Sequence, residues 1–306
     1  MKVLVLGATG FVGGGIARAL QAAGHEVAAV ARTDAAERRL RARGYAVVRG
    51  DVAQPQSLID AARRADATVY CVQLSIAEAP EIEAAALRAF AAALETSNKT
   101  LLYTSGVWYY GPAPEPVDET APPNPPPFVA ARPRLERIVL DGTSRGIRAI
   151  VVRPGDVYGE GKGLPALFVA SARENGAART FGEGANHWPV VHVDDLGRLF
   201  AAALERGQPG DVFNATDETS FTQLDIARAA SRGAGAGGAT AVWAIADAAA
   251  AMGPWVAALA MDQRVSSARA RRRLGWEPRE LTILEDLERG SYAGASASRP
   301  AAFEET

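Results

Sequence analysis

The sequence predicts an α/β protein, a doubly wound parallel sheet followed by a smaller, discontinuous C-terminal region. Three observations support this. The chain opens on a short apolar run, Val3 to Leu6, that stops at Gly7 and passes through Gly10 and Gly13 into a helical pattern from Phe11 to Leu20. Strand-like and helix-like segments then alternate through the first half of the chain, as in βα units that feed a parallel sheet. Past Pro154-Gly155 the alternation loosens, which marks the start of a second region.

The elements follow in order. Val3–Leu6 has the length of a buried strand, and the glycines end it before the first helix begins. Glu26–Ala31 reads as a second strand with a helix over Ala35–Arg43, and Ala46–Arg49 as a third with a helix over Gln56–Arg64. Thr68–Val72 makes a fourth strand, Glu78–Glu95 a long alanine-rich helix, and Thr100–Tyr103 a fifth strand. Prolines and acidic residues crowd Pro112–Pro127, so this stretch reads as a loop. A helix over Phe128–Thr143 and a sixth strand over Arg148–Arg153 follow. Later helices are expected at Leu164–Asn175, Asp195–Arg206 and Phe221–Ser231, with short strands at Val190–Val193 and Asp211–Asn214. This divides the chain into a first domain over 1–155, to which 190–215 returns, and a second region made of 156–189 and 216–290. Residues 291–306 are small or polar and read as a disordered tail.

Composition excludes several function classes. A formal charge of −2 and a pI near 6.0 give no electrostatic case for nucleic acid or an anionic membrane. Cys71 is the only cysteine, and the three histidines (His25, His187, His192) have no metal-ligand spacing, so no metal site is expected. No uninterrupted apolar stretch reaches the roughly 20 residues of a membrane span. The expectation is a cytoplasmic protein acting on a small molecule.

The opening segment carries the chemistry. Strand, glycine turn and helix start, in that order, make a Rossmann-type cradle for a pyrophosphate. Unpaired N–H groups at the helix N-terminus face the anion, Gly7 and Gly10 permit close backbone approach, and Gly13 lets the helix lie against the sheet. An ordinary glycine-rich turn is the competing reading. In an open α/β sheet, ligands sit beyond the C-terminal strand ends. Gly7 to Gly13 (with Thr9, Phe11 and Val12), Arg32, Asp51, the run Cys71-Val72-Gln73, Ser105 and Pro154 all fall at such ends. At the end of the second strand a carboxylate would hold ribose hydroxyls and repel a 2′-phosphate. This chain has Arg32 there, which points to NADP, with NAD as the alternative.

Seven segments together resemble the extended short-chain dehydrogenase/reductase superfamily, of the epimerase/dehydratase type, from Lys2 to about Pro278. They are Gly7-Ala-Thr-Gly-Phe-Val-Gly13, Gly50-Asp51-Val52, Thr104-Ser105-Gly-Val-Trp-Tyr-Tyr-Gly111, Arg153-Pro-Gly-Asp-Val-Tyr-Gly159, Val191-His-Val-Asp-Asp-Leu196, Phe213-Asn-Ala215 and Leu274-Gly-Trp-Glu-Pro278. The resemblance implies a nicotinamide dinucleotide in the first domain and a C-terminal region closing over substrate. It adds Val52, Arg132 and Val157 to the cofactor contacts. It also implies that Asp51 accepts from the adenine amino group, although a helix N-cap would explain Asp51 equally well. Relatives pair through two long helices, here Glu78–Glu95 and Phe128–Thr143, so a homodimer is expected.

The resemblance fails at the chemistry. The superfamily's usual mechanism uses a tyrosine, a lysine four residues later and a hydroxyl on the fifth strand. Phe128, Arg132 and Gly106 occupy those positions here. Candidate replacements are Tyr109 as proton donor, with Ser105 beside the gap and Arg132 on the ribose. Packing is the competing role for Tyr109. Trp188 stands where sugar-nucleotide enzymes carry a diphosphate-binding arginine. With Trp108 and Phe128 it is expected to line a cleft for an apolar or aromatic molecule. The expected activity is an NADP-linked oxidoreductase with a non-standard proton route. The alternatives are a dinucleotide-binding sensor and a cyclase or lyase that reuses the fold.

Overall fold

The structure, a computed structural model, describes residues 1–74 and 78–293. Its frame is a seven-stranded, all-parallel sheet. From one edge the order is Ala46–Arg49, Glu26–Ala31, Lys2–Leu6, Ala67–Tyr70, Thr100–Thr104, Arg148–Pro154 and Val212–Ala215, or third, second, first, fourth, fifth, sixth and seventh. The order reverses between the first and fourth strands, and a crevice opens at the C-terminal ends of such neighbours. Register keeps those ends level: Leu6 lies opposite Tyr70, Thr104 opposite Val152, and Pro154 opposite Ala215.

Alternation along the first strand shows how the sheet is buried on both faces. Val3 and Val5 enter one apolar cluster with Ile16, Leu20, Leu199 and Phe200, whereas Leu4 and Leu6 enter the other with Leu87, Phe90, Leu135 and Val139. On the first face, helix Phe11–Ala22 packs on helix Val193–Arg206, and only small residues allow their spacing. A Cβ on Gly15 would lie 2.5 Å from Val193 Cγ2, and one on Gly197 2.8 Å from the Gly15 carbonyl oxygen. A third cluster, around Phe168, Trp188, Ile226 and Tyr292, forms the C-terminal region.

The sheet strands lie within two residues of where the sequence places them, and three other expectations need correction. The stretch Pro112–Pro127 is not all loop: Ala113–Val117 pairs in parallel with Gln263–Val265. The helix expected from Phe128 begins at Arg132, with Pro133 in its first turn, where a missing N–H costs nothing. Phe128 lies in a separate 3₁₀ turn, Pro127–Val129. The tail starts later than residue 291, since Tyr292 is buried and its hydroxyl bonds the 159–162 loop. Residues 294–306 of the expected tail lie outside the described residues. No described helix is long and apolar enough to cross a membrane.

Candidate functional site

The glycine loop has the geometry the dinucleotide requires. Gly7 sits at φ +91°, and a Cβ there would fall 1.8 Å from the Cys71 carbonyl oxygen. A Cβ on Gly13 would fall 2.2 Å from the Gly7 carbonyl oxygen, so first strand, fourth strand and helix meet at contact distance. Gly10, the N-cap of helix Phe11–Ala22, is exposed and offers no capping side chain, and the first turn holds no acidic residue. The opening N–H groups at Phe11, Val12 and Gly13 are therefore uncapped by any side chain, beside Thr9, a fit for a pyrophosphate.

Around this cradle the strand ends supply the flanks. Cys71 and Val72 are half-buried and Gln73 exposed, just past the fourth strand, which ends at Tyr70 and not at Val72. Burial pushes the Cys71 thiol up to about 11, against the opposing pull of the Thr104 hydroxyl and Arg132. Asp51 does not cap the following helix, whose N-cap is Pro55; one of its carboxylate oxygens accepts from Ala53 N at 3.0 Å in a local turn, and no protein donor reaches the other among the described residues. The Val52 side chain points into the core. Arg32 is exposed and has no hydrogen-bond or ion-pair partner among the described residues. The nearby Asp34 is engaged by Arg49 at 3.1 Å, and Thr33 caps helix Asp34–Ala42.

Beyond the fifth and sixth strands lies the region where the superfamily's chemistry takes place. A Cβ on Gly106 would lie 3.7 Å from Arg132 Cζ and 3.8 Å from the Pro154 carbonyl oxygen. These three expected positions therefore converge, and a Cβ at Gly106 would fit there in ordinary van der Waals contact. Ser105 Oγ and Arg132 Nε are buried with no hydrogen-bond partner among the described residues. Two buried polar atoms without partners, close to Gly106, suit a hydroxyl-rich ligand such as a ribose.

Tyr109 is packed. Its ring lies beneath the Arg153 guanidinium at 3.6 Å and edge-on to Tyr110 at 5.3 Å. Arg153 is itself buried, in a bidentate pair with Glu136, and donates to the Tyr110 hydroxyl at 2.7 Å. Burial alone would lower the guanidinium's pKa, but Glu136 more than reverses this. Trp108 and Phe128 do meet, edge to face at 5.2 Å, and Phe128 is 42% exposed. Beside it, Pro112, Pro126, Pro254 and Met261 line an apolar groove. Trp188 is not in the cleft. It is 3% exposed, donates to the Leu259 carbonyl and packs on Phe168, so it belongs to the core of the C-terminal region.

Asp156 was missed by the sequence reading. It follows Pro154-Gly155 at the end of the sixth strand, with its N–H fixed to the Pro189 carbonyl at 2.7 Å. Its carboxyl has no partner among the described residues, and burial pushes it up to about 7. In the motif Arg153-Pro-Gly-Asp-Val-Tyr-Gly159 the acid looked like one more backbone marker. The folded state holds this proton up to about pH 7, whereas an unfolded Asp releases it near pH 4, so the residue erodes stability as pH rises between those values. Asp156→Asn is expected to exceed the wild type in stability by up to about 4 kcal/mol at pH 8 and to match it near pH 4. Denaturant unfolding at both pH values checks this, and an equal gap at the two would contradict it.

The profile of the family described as "NAD dependent epimerase/dehydratase family" matches residues 3–216. An uncharacterized protein of Saccharomyces cerevisiae is 30% identical over 306 residues, covering 96% of this chain and 99% of that protein. A 2-alkyl-3-oxoalkanoate reductase of Stenotrophomonas maltophilia is 26% identical over 230 residues, or 69% of this chain and 67% of that one. Among solved structures, a UDP-glucose 4-epimerase of Thermotoga maritima superposes with a TM-score of 0.81 at 19% identity over 95% of this chain and 98% of its own, a likeness of fold. On sequence, fold and cradle alike, the chain belongs to the NAD dependent epimerase/dehydratase family, within the extended short-chain dehydrogenase/reductase superfamily.

Proposed function

We propose that the protein is an NADP-linked oxidoreductase that reduces a small apolar or aromatic molecule without the usual tyrosine. The observation that supports this is the glycine cradle together with an exposed Phe128 set edge-on to Trp108, at the position where the resemblance expects the tyrosine. The family name and the reductase among the relatives support dinucleotide-linked redox chemistry. When bound, the nicotinamide supplies the hydride. The chain's own residues bind and orient the partners: uncapped helix amides hold the pyrophosphate, Arg132 and Ser105 the ribose, and Trp108 with Phe128 the substrate. With close approach supplying much of the acceleration, an activated double bond, imine or carbonyl tolerates a proton taken from water. Arg32, unpaired where a 2′-phosphate would lie, supports NADP over NAD, because Arg49 already neutralises Asp34.

The test is consumption of NADPH against a panel of enones, imines and carbonyls carrying apolar or aromatic groups. Turnover with at least one of them, and faster with NADPH than with NADH, is expected. Tight NADPH binding with no turnover on any of them would favour the sensor reading instead. The same proposal keeps the outward faces of helices Ala79–Leu94 and Arg132–Leu140, which carry Ala85, Ala92 and Arg134, as the contact of a homodimer. A solution mass of one chain at micromolar concentration would contradict it.

A further inference from the structure

Loop 159–163 is a turn of unusual backbone, with positive φ at Gly159, Glu160, Gly161 and Gly163. It lies directly beside the opening of the dinucleotide cradle. A Cβ on Gly163 would sit 3.5 Å from Phe11 Cε1 and 2.1 Å from the Val157 carbonyl oxygen. Lys162 Nζ is 5.7 Å from the centre of the Phe11 ring. Phe11 is the first residue of the helix whose uncapped amides face the cradle.

Two further sets of contacts fix this loop in place. Lys162 Nζ reaches Glu160 at 2.9 Å, and Glu160 in turn accepts from Arg18 on the cradle helix. From the other side, the Tyr292 hydroxyl accepts from Gly159 N at 3.0 Å and donates to the Lys162 carbonyl, while Ser291 Oγ accepts from Gly161 N at 3.0 Å. Ser291 is held by Asp286, in the middle of helix Ile283–Arg289. Ser291 and Tyr292 thus hold the backbone of the lysine's loop beside the first turn of the cradle helix. The entire sequence has only three lysines.

We propose that Lys162 is a further contact for the cofactor's pyrophosphate, flanking the anion site from beside Phe11 at the start of the cradle helix. The proposal rests on the reading that the family's dinucleotide lies in the glycine cradle. In the free protein Glu160 keeps the ammonium over Phe11. The arriving diphosphate, with two formal negative charges, competes for it and forms the stronger charge-assisted bond. A lysine serves here as a point charge and does not require the planar fork of an arginine. Loop closure over Phe11 also removes one face of the pyrophosphate from water, which strengthens every charge interaction inside.

Calorimetric titration with ADP-ribose tests this, because that ligand carries the pyrophosphate but neither the nicotinamide nor a 2′-phosphate. Lys162→Ala and Lys162→Gln are expected to weaken ADP-ribose about tenfold and Lys162→Arg less than threefold, with a shallower salt dependence in the first two. The side chain is half exposed, so melting temperatures should stay at the wild-type value, which separates lost contact from lost fold. Lys99→Ala, on the far side of the sheet's strand ends, serves as the control and should bind normally. Wild-type affinity in Lys162→Ala and Lys162→Gln would overturn the proposal and leave the cofactor reading standing. Failure of the wild type itself to bind ADP-ribose, NAD or NADP would overturn both.

Discussion

Gly10→Ala is expected to weaken dinucleotide binding by about a hundredfold while costing the fold about 1 kcal/mol or less. The asymmetry follows from where its new methyl group would point. Gly10 has φ −80° and ψ 175°, a conformation any residue adopts. A Cβ there meets only the Gly7 carbonyl oxygen, at 3.4 Å, and otherwise open space. The fold therefore does not need a glycine at this position, and the methyl obstructs only a ligand that comes down onto the backbone. Gly7→Ala makes the contrast. Its Cβ would lie 1.8 Å from the Cys71 carbonyl oxygen at a positive φ, so it should damage the fold before binding is even at issue. Thermal unfolding alongside a binding titration distinguishes the two. Gly10→Ala with unchanged affinity would mean that no ligand approaches this backbone closely.

The second large effect is expected away from the cradle. Glu136→Gln should destabilise the protein by about 3–5 kcal/mol, because it strips a buried guanidinium of its counter-charge. Both partners of the Arg153–Glu136 pair have side chains less than 5% exposed. Arg153 also holds the Tyr110 hydroxyl, which donates to Asn214 at 2.8 Å, and its guanidinium covers Tyr109. The pair thereby joins helix Arg132–Leu140, the sixth and seventh strands, and the turn that carries Trp108. Replacing both members with apolar residues of similar size, Glu136→Leu with Arg153→Met, should cost less than either single change. Urea unfolding of the four proteins completes the cycle. Additive costs would show that the two charges are not coupled.

What the sequence displayed and what it hid divide along physical lines. The second and third strands and the helix Gln56–Arg64 stand where their apolar runs and flanking breakers put them, since local pattern alone decides such elements. The glycine cradle was legible because a positive φ and contact-distance backbones admit hardly any other residue. Ala113–Val117 was hidden because Pro114 and Pro116 read as loop; a short edge strand tolerates prolines that lack a donor. Trp188 fell at a family position that faces substrate, and spacing cannot tell whether an indole turns toward the cleft or toward Phe168. Asp156 and Tyr292 were missed for a related reason. One matters because tertiary burial raises its proton affinity, the other because a distant loop closes on its hydroxyl.

The chemistry divides in the same way. The resemblance puts Phe128, Arg132 and Gly106 at the positions of the usual catalytic groups, but the sequence could not show that Gly106, Arg132 and Pro154 converge. Nor could it show that Tyr109, the expected proton donor, has its ring held beneath Arg153.

The most direct measurement is a calorimetric titration of the folded, wild-type protein with NADPH and, separately, with NADH. Saturable binding of one dinucleotide per chain, tighter for NADPH and much weakened in Gly10→Ala, is the expected result. Absence of binding by either coenzyme would contradict the central claim that the amides of the opening loop hold a nicotinamide dinucleotide.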